Sequence, residues 1–156
     1  MSAIQNLRQM LLFRLVVFGI VGIGVFAVFE SSLNPLLAYG SLAVAVGVFI
    51  AVWLIVNPTY VCFDFVNGKL LIGTDKEDSD NFHLVMPLNE FAGYEIVKAY
   101  GGLRKTLHIY RKVGNQFQRS KGTNLSLFTS AQLKQLQTRF ADLQEQNGTK
   151  GLRFNQ

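Results

Sequence analysis

Residues 36–56, LLAYGSLAVAVGVFIAVWLIV, run for 21 positions without a charge. As a helix they rise about 31 Å at 1.5 Å per residue, against a bilayer hydrocarbon core about 30 Å thick. A second apolar run precedes them: residues 15–29 are uncharged and reach a spanning length once residues 11–14 are counted. Arg14 would then lie at the interface with its guanidinium turned toward the headgroups. Glu30, Ser31, Ser32, Leu33, Asn34 and Pro35 separate the runs and suffice for a tight turn. The expected unit is a transmembrane helical hairpin over residues 1–57, with spans at about 11–30 and 36–56.

A cleaved signal peptide is the competing account of the first run. It fits poorly: the n-region is long, Ala27-Val28-Phe29 is a poor cleavage site, and a second apolar run follows at once. Of the 15 Lys and Arg, Arg8 and Arg14 flank the first run and the other 13 follow the second, while the turn carries only Glu30. Basic residues mark the cytoplasmic side, so both termini are expected there. That makes an integral protein of the inner or cytoplasmic membrane, or of a thylakoid in a photosynthetic cell. Cys62 is the only cysteine, which rules out an internal disulfide and agrees with a reducing compartment.

Small residues recur in both runs: Gly19, Gly22, Gly24 and Ala27 in the first, Ala43, Gly47 and Ala51 four apart in the second. Such faces let helices approach closely in lipid. Gly19, Gly22, Ala43, Gly47 and Ala51 are therefore expected to pack the spans together, or to dock one face on another membrane protein. Neither run holds an acid or histidine within it, so no proton relay or ion path is expected.

Asn57-Pro58 stops the second helix, because proline cannot continue the hydrogen-bond ladder. Val61, Phe63 and Phe65 then alternate with Cys62 and Asp64, the period of a half-buried strand. Asn67-Gly68 and the following Lys69-Leu70-Leu71-Ile72 predict a hairpin with a type I′ turn. Further strands are expected over 82–88, 92–100 and 103–113, with a shorter pair over 116–120 and 124–128. Gly101-Gly102 and Gly114-Asn115 supply turns. From Thr129 the period changes: Leu133, Leu136, Phe140 and Leu143 form one helical stripe. Thr129 with Gln132 fits a capping box, and Asn147-Gly148 a stop. A cytoplasmic domain over 58–147 would precede a disordered tail over 148–156, where Phe154 is a candidate docking residue.

This order resembles a bacterial pleckstrin-homology-like (PH-like) domain preceded by a helix hairpin. The resemblance rests on the hairpin over 61–72, on Val85-Met86-Pro87-Leu88 running into Gly93-Tyr94-Glu95-Ile96-Val97, and on Leu127-Phe128-Thr129 entering the last helix. The layout is also similar to that of a family of two-span photosystem I assembly factors. It implies an α+β fold in which a transmembrane hairpin carries six or seven antiparallel strands and a C-terminal helix. It also implies a role in binding.

No catalytic constellation emerges. His83 and His108 fall on separate strands, and no CxxC or HxxxH spacing gathers zinc ligands. Phosphate-cradling glycine motifs are absent. Asp75, Glu77, Asp78 and Asp80 form an acidic loop without the order of a calcium loop. The nine Lys and Arg between Lys98 and Arg139 have no acid among them. Of these, Arg104, Lys105, Arg111, Lys112, Arg119 and Lys121 are the candidate contacts to anionic lipid or to an acidic partner. Strand-edge lysines that only block edge pairing are the plainer account. Aromatics do not interleave with these charges as a nucleic-acid platform requires. The expectation is a non-enzymatic accessory or assembly protein, without cofactor or metal, bound to lipid and to a larger integral membrane complex. The alternative is a module that senses anionic lipid.

Overall fold

The computed structural model describes residues 4–30, 35–73 and 82–149. The chain enters through a two-residue strand, β1 (Ile4–Gln5), too short to show any period in sequence. Two antiparallel helices follow, α1 (Leu7–Glu30) and α2 (Pro35–Val56). They meet along a stripe at alternating three- and four-residue steps. On α1 Met10 and Val17 are buried and Phe13, Val21 and Gly24 half-buried; on α2 Val56 is buried and Leu42, Val46, Phe49 and Trp53 half-buried. The Phe13 and Trp53 rings lie 5.8 Å apart, and a Cβ at Gly24 would sit 3.4 Å from Leu42 Cδ1.

This seam differs from the expected one. Nothing lies within 4 Å of where a Cβ would stand at Gly19, Gly22 or Gly47, and Ala43, Gly47 and Ala51 are exposed. The helices join through large side chains, Phe13 and Trp53 among them. The small-residue faces point outward. The two-span expectation also needs correction. Among the described residues one helical stretch is long and apolar enough to cross a membrane, Leu7–Phe26. Among the described residues of α2 only a shorter apolar stretch, Leu42–Val56, is found. A second full span is not supported.

After α2 come β2 (Cys62–Val66), β3 (Lys69–Gly73), β4 (Phe82–Pro87), β5 (Phe91–Ala99), β6 (Arg104–Val113), β7 (Gln116–Arg119), β8 (Thr123–Asn124) and α3 (Ser130–Gln146). All pairing is antiparallel, in two sheets: β1-β2-β3-β4, and β5-β6-β7 with β8 also on β6. Asn67 and Gly68 take φ of 52° and 70°, the left-handed pair that a type I′ turn demands. The strand expected over 124–128 ends at Asn124. Its side-chain oxygen accepts from Ser126 N at 2.9 Å and Ser126 Oγ at 2.6 Å, a local turn that competes with the ladder.

The core fills the space between the sheets and α3. Phe63, Leu70, Ile72 and Met86 come from the first sheet, Leu107 and Ile109 from the second, and Leu136, Phe140 and Leu143 from the helix. Phe140 is the hub, with ring centroids 5.2 Å from Phe91 and 5.0 Å from Tyr94. Thr129 and Gln132 form the full capping box. The predicted stripe of α3 is the buried one.

Register gives the domain two ends. Cys62 pairs with Gly73 and lies next to the foot of the helices, whereas Val66, Lys69 and Pro87 lie at the other end. In the second sheet Phe91 pairs with Arg111, and Ala99 with Arg104. Asn147 Nδ2 donates to Leu88 O and Phe91 O at the far end, while Gln132 Nε2 donates to Gln5 O at the helix end. The turn between β5 and β6 is thus at the helix end, and the turn between β6 and β7 at the far end.

Candidate functional site

Asn6 is the residue from which the helix foot is built. It is 1 % exposed, and each of its polar groups has a partner. Its Nδ2 donates to Thr59 O at 2.9 Å, its Oδ1 accepts from Val61 N at 2.8 Å, and its own N–H donates to Val61 O at 3.3 Å. Asn6 O accepts from Met10 N at 3.0 Å as α1 begins. A second asparagine closes the other helix: Asn124 Nδ2 donates to Val56 O at 2.9 Å and Asn57 O at 2.6 Å, carbonyls that α2 leaves unsatisfied at its end. Tyr60 Oη donates to Gln5 Oε1 at 2.9 Å. Each sheet therefore contributes one asparagine to hold the foot of the hairpin. Neither was singled out in sequence, because an isolated asparagine carries no periodic signal.

Tyr60 and Cys62 lie beside this foot. Burial, with Cys62 adding to it, pushes the Tyr60 hydroxyl up to about 12. Burial also raises the Cys62 thiol, against the lowering effect of its contact with Tyr60. The lone thiol is kept in its neutral, weakly nucleophilic form.

The six predicted basic residues do not form one patch. Arg104 and Lys105 open β6 at the helix end, while Arg111 and Lys112 lie near its far end, about 20 Å along the strand at 3.4 Å per residue. Arg111 donates through Nε and a terminal nitrogen to Gln118 Oε1 at 3.0 and 2.8 Å. Arg119 pairs with Glu95 at 3.2 Å, and Glu95 also accepts from Tyr110 Oη at 2.9 Å. Burial and this carboxylate both raise the Tyr110 hydroxyl. Lys121 follows β7 in the segment before β8. Two of the four outer cations are thus bound into the domain's own surface.

Arg104 and Lys105 differ. Lys98 stands directly opposite Lys105 across the ladder, and Ala99 opposite Arg104. Like charges so placed repel. None of Lys98, Arg104 and Lys105 has an ion pair among the described residues. Between the strands, Tyr100, Gly101 and Gly102 have φ of 52°, 64° and 90°. At Tyr100 that conformation costs about 1–2 kcal/mol. Lys105 N–H donates to Ser126 Oγ at 3.2 Å, Ser126 is bonded to Asn124, and Asn124 holds the last turn of α2.

Where the sheets part, a cleft of about 250 Å³ is lined by Leu84, Met86, Ile109, Arg111, Gln118, Arg119 and Ser120. His83 Nε2 lies 3.3 Å from Thr123 Oγ1, and His108 Nδ1 3.3 Å from Ser120 O. No cluster of metal-ligating side chains occurs among the described residues. Asp75, Glu77, Asp78, Asp80 and Phe154 lie outside them.

The fold and this foot define a class: an α+β protein in which an apolar helix pair is fastened to the end of a two-sheet domain closed by a C-terminal helix. No protein-family model, curated protein or solved structure matches the chain.

Proposed function

We propose that this is a non-catalytic, membrane-anchored accessory or assembly protein. In this reading α1 enters the bilayer with α2 packed antiparallel against it, and the PH-like domain is held at the cytoplasmic surface next to a larger membrane complex. The observation that carries it is the outward face of α1. Leu15, Phe18 and Ile23 are 70 %, 71 % and 72 % exposed, and only 11 % of the apolar stretch is buried. A core helix of a water-soluble fold is mostly covered, so this surface calls for lipid or another apolar body. The pairing of β1 with β2 supports this packing, since both helix feet join one sheet. The open faces at Gly19, Gly22, Ala43, Gly47 and Ala51 suit close docking of a partner helix.

The test is purification from native membranes in mild detergent, read by native gel and mass spectrometry. A defined larger membrane complex is expected, and Gly47→Leu or Ala51→Leu should release the protein from it. Recovery of a lone monomer, with every complex unchanged in a deletion strain, would sink the accessory role. The cations at the helix foot, without an ion pair among the described residues, favour a second reading, recognition of anionic lipid, worth about 1 kcal/mol per basic residue near the surface.

A further inference from the structure

We infer that the turn between β5 and β6 is a second membrane contact, a tip that dips into the headgroup layer of an anionic bilayer beside the helices. The inference rests on the membrane-anchored reading and goes beyond it by naming the contact and its lipid class. Three observations converge on this turn. It lies at the helix end of the domain, joined to the last turn of α2 through Lys105, Ser126 and Asn124. It presents two large apolar side chains to solvent, Tyr100 at 62 % and Leu103 at 53 % exposure. And it is ringed by Lys98, Arg104 and Lys105, of which two face each other as a like-charged pair without a counter-ion among the described residues.

Each part has a match in the interface of a bilayer. Tyrosine favours the headgroup level, where its ring is apolar and its hydroxyl wet. Leu103 reaches the acyl boundary, and the basic stems lie along apolar surface while their heads meet phosphates. A phosphate between Lys98 and Lys105 relieves the repulsion that the ladder imposes. Tyr100, Gly101 and Gly102 all take positive φ in a tight turn that joins the paired ends of β5 and β6. Arg111 and Val113, at the far end of β6, are excluded from the same surface. The acidic stretch 75–80 lies outside the described residues; the strand ends that flank it, Gly73 of β3 and Phe82 of β4, belong to the other sheet at its helix end.

The test uses the full chain with Cys62→Ala, reconstituted in nanodiscs, with one environment-sensitive fluorophore per variant at Leu103→Cys, Phe18→Cys or Val113→Cys. Discs are phosphatidylcholine alone or with phosphatidylglycerol, and carry a shallow lipid-borne quencher. In anionic discs the Leu103 probe is expected to shift to the blue and be quenched several-fold more than the Val113 probe. The effect should weaken in phosphatidylcholine and with Lys98→Glu/Lys105→Glu. A Leu103 probe as wet as the Val113 probe, while the Phe18 probe remains in lipid, overturns the tip and leaves the anchor standing. A Phe18 probe in water overturns the anchored reading itself. Equal quenching in both lipids overturns the charge recognition.

Discussion

A single asparagine illustrates how polar groups decide this fold. Asn6 to alanine leaves Thr59 O and Val61 N without their partners, in a site closed to water. At about 1–3 kcal/mol per orphaned group, Asn6→Ala should lower the unfolding free energy by roughly 2–4 kcal/mol, measurable by denaturant titration in detergent. Asn6→Asp keeps the acceptor for Val61 but turns a buried carboxylate toward Thr59 O, so its loss should be at least as large. His83 makes a prediction about pH. It keeps much of its surface open, yet burial, aided by the charge of Lys121, holds it below its ordinary 6.5. The neutral form is therefore the one the fold prefers. Its contribution is whole above 6.5 and declines as pH falls through the lowered value. Thermal melts of His83→Gln should show a shallower loss of stability between about pH 7 and 5 than the native chain.

Among the elements, α3 is the one whose sequence is most explicit. Its capping box, its stripe and its Asn147-Gly148 stop are all local signals, and the helix obeys each of them. Thr129→Ala should cost about 1 kcal/mol through the lost cap. Phe140→Ala, which empties the centre of the aromatic cluster, should cost about 3–5 kcal/mol. Both are read from the same unfolding curve, and a reversed order would mean that α3 is not the seat of the core. The Asn67-Gly68 hairpin was equally legible, since its pattern and its turn chemistry agree. The helix seam was not. Counting small residues pointed to Gly19, Gly22 and Gly47, whereas the contact follows Phe13 and Trp53, whose shape decides which faces meet. β1 escaped notice because two residues hold no period, and β8 stopped early because Asn124 spends its side chain on Ser126 and α2.

For the whole molecule, the basic residues show the limit of a linear reading. Arg104 and Arg111 look like neighbours in one run of charge, yet register sends them to opposite ends of a strand. Only the pairing of β6 with β5 and β7 reveals which cations are spent on Glu95 and Gln118 and which have no ion pair among the described residues. The two asparagines at the foot predict stiff coupling between helices and sheets. Spin labels at Leu54 and Val113, in a Cys62→Ala background, should give one narrow distance distribution. Asn6→Ala/Asn124→Ala should broaden it without dissolving the domain. A broad distribution in the native chain would refute the coupling.

The seal at Asn6 also carries a clock. Its partner Val61 lies 55 residues further along the chain, so at 5–20 residues per second of synthesis the first strand waits roughly 3–11 s for its mate. All of α1 and α2 is made in that interval. The sheet can shut only after both helices have found their places and brought Val61 back to the side where Asn6 was left. Closure of this edge is thus a record of a completed helix pair. A chain whose helices stray is left with an open, adhesive edge, the kind of exposed strand that proteolysis and aggregation find first.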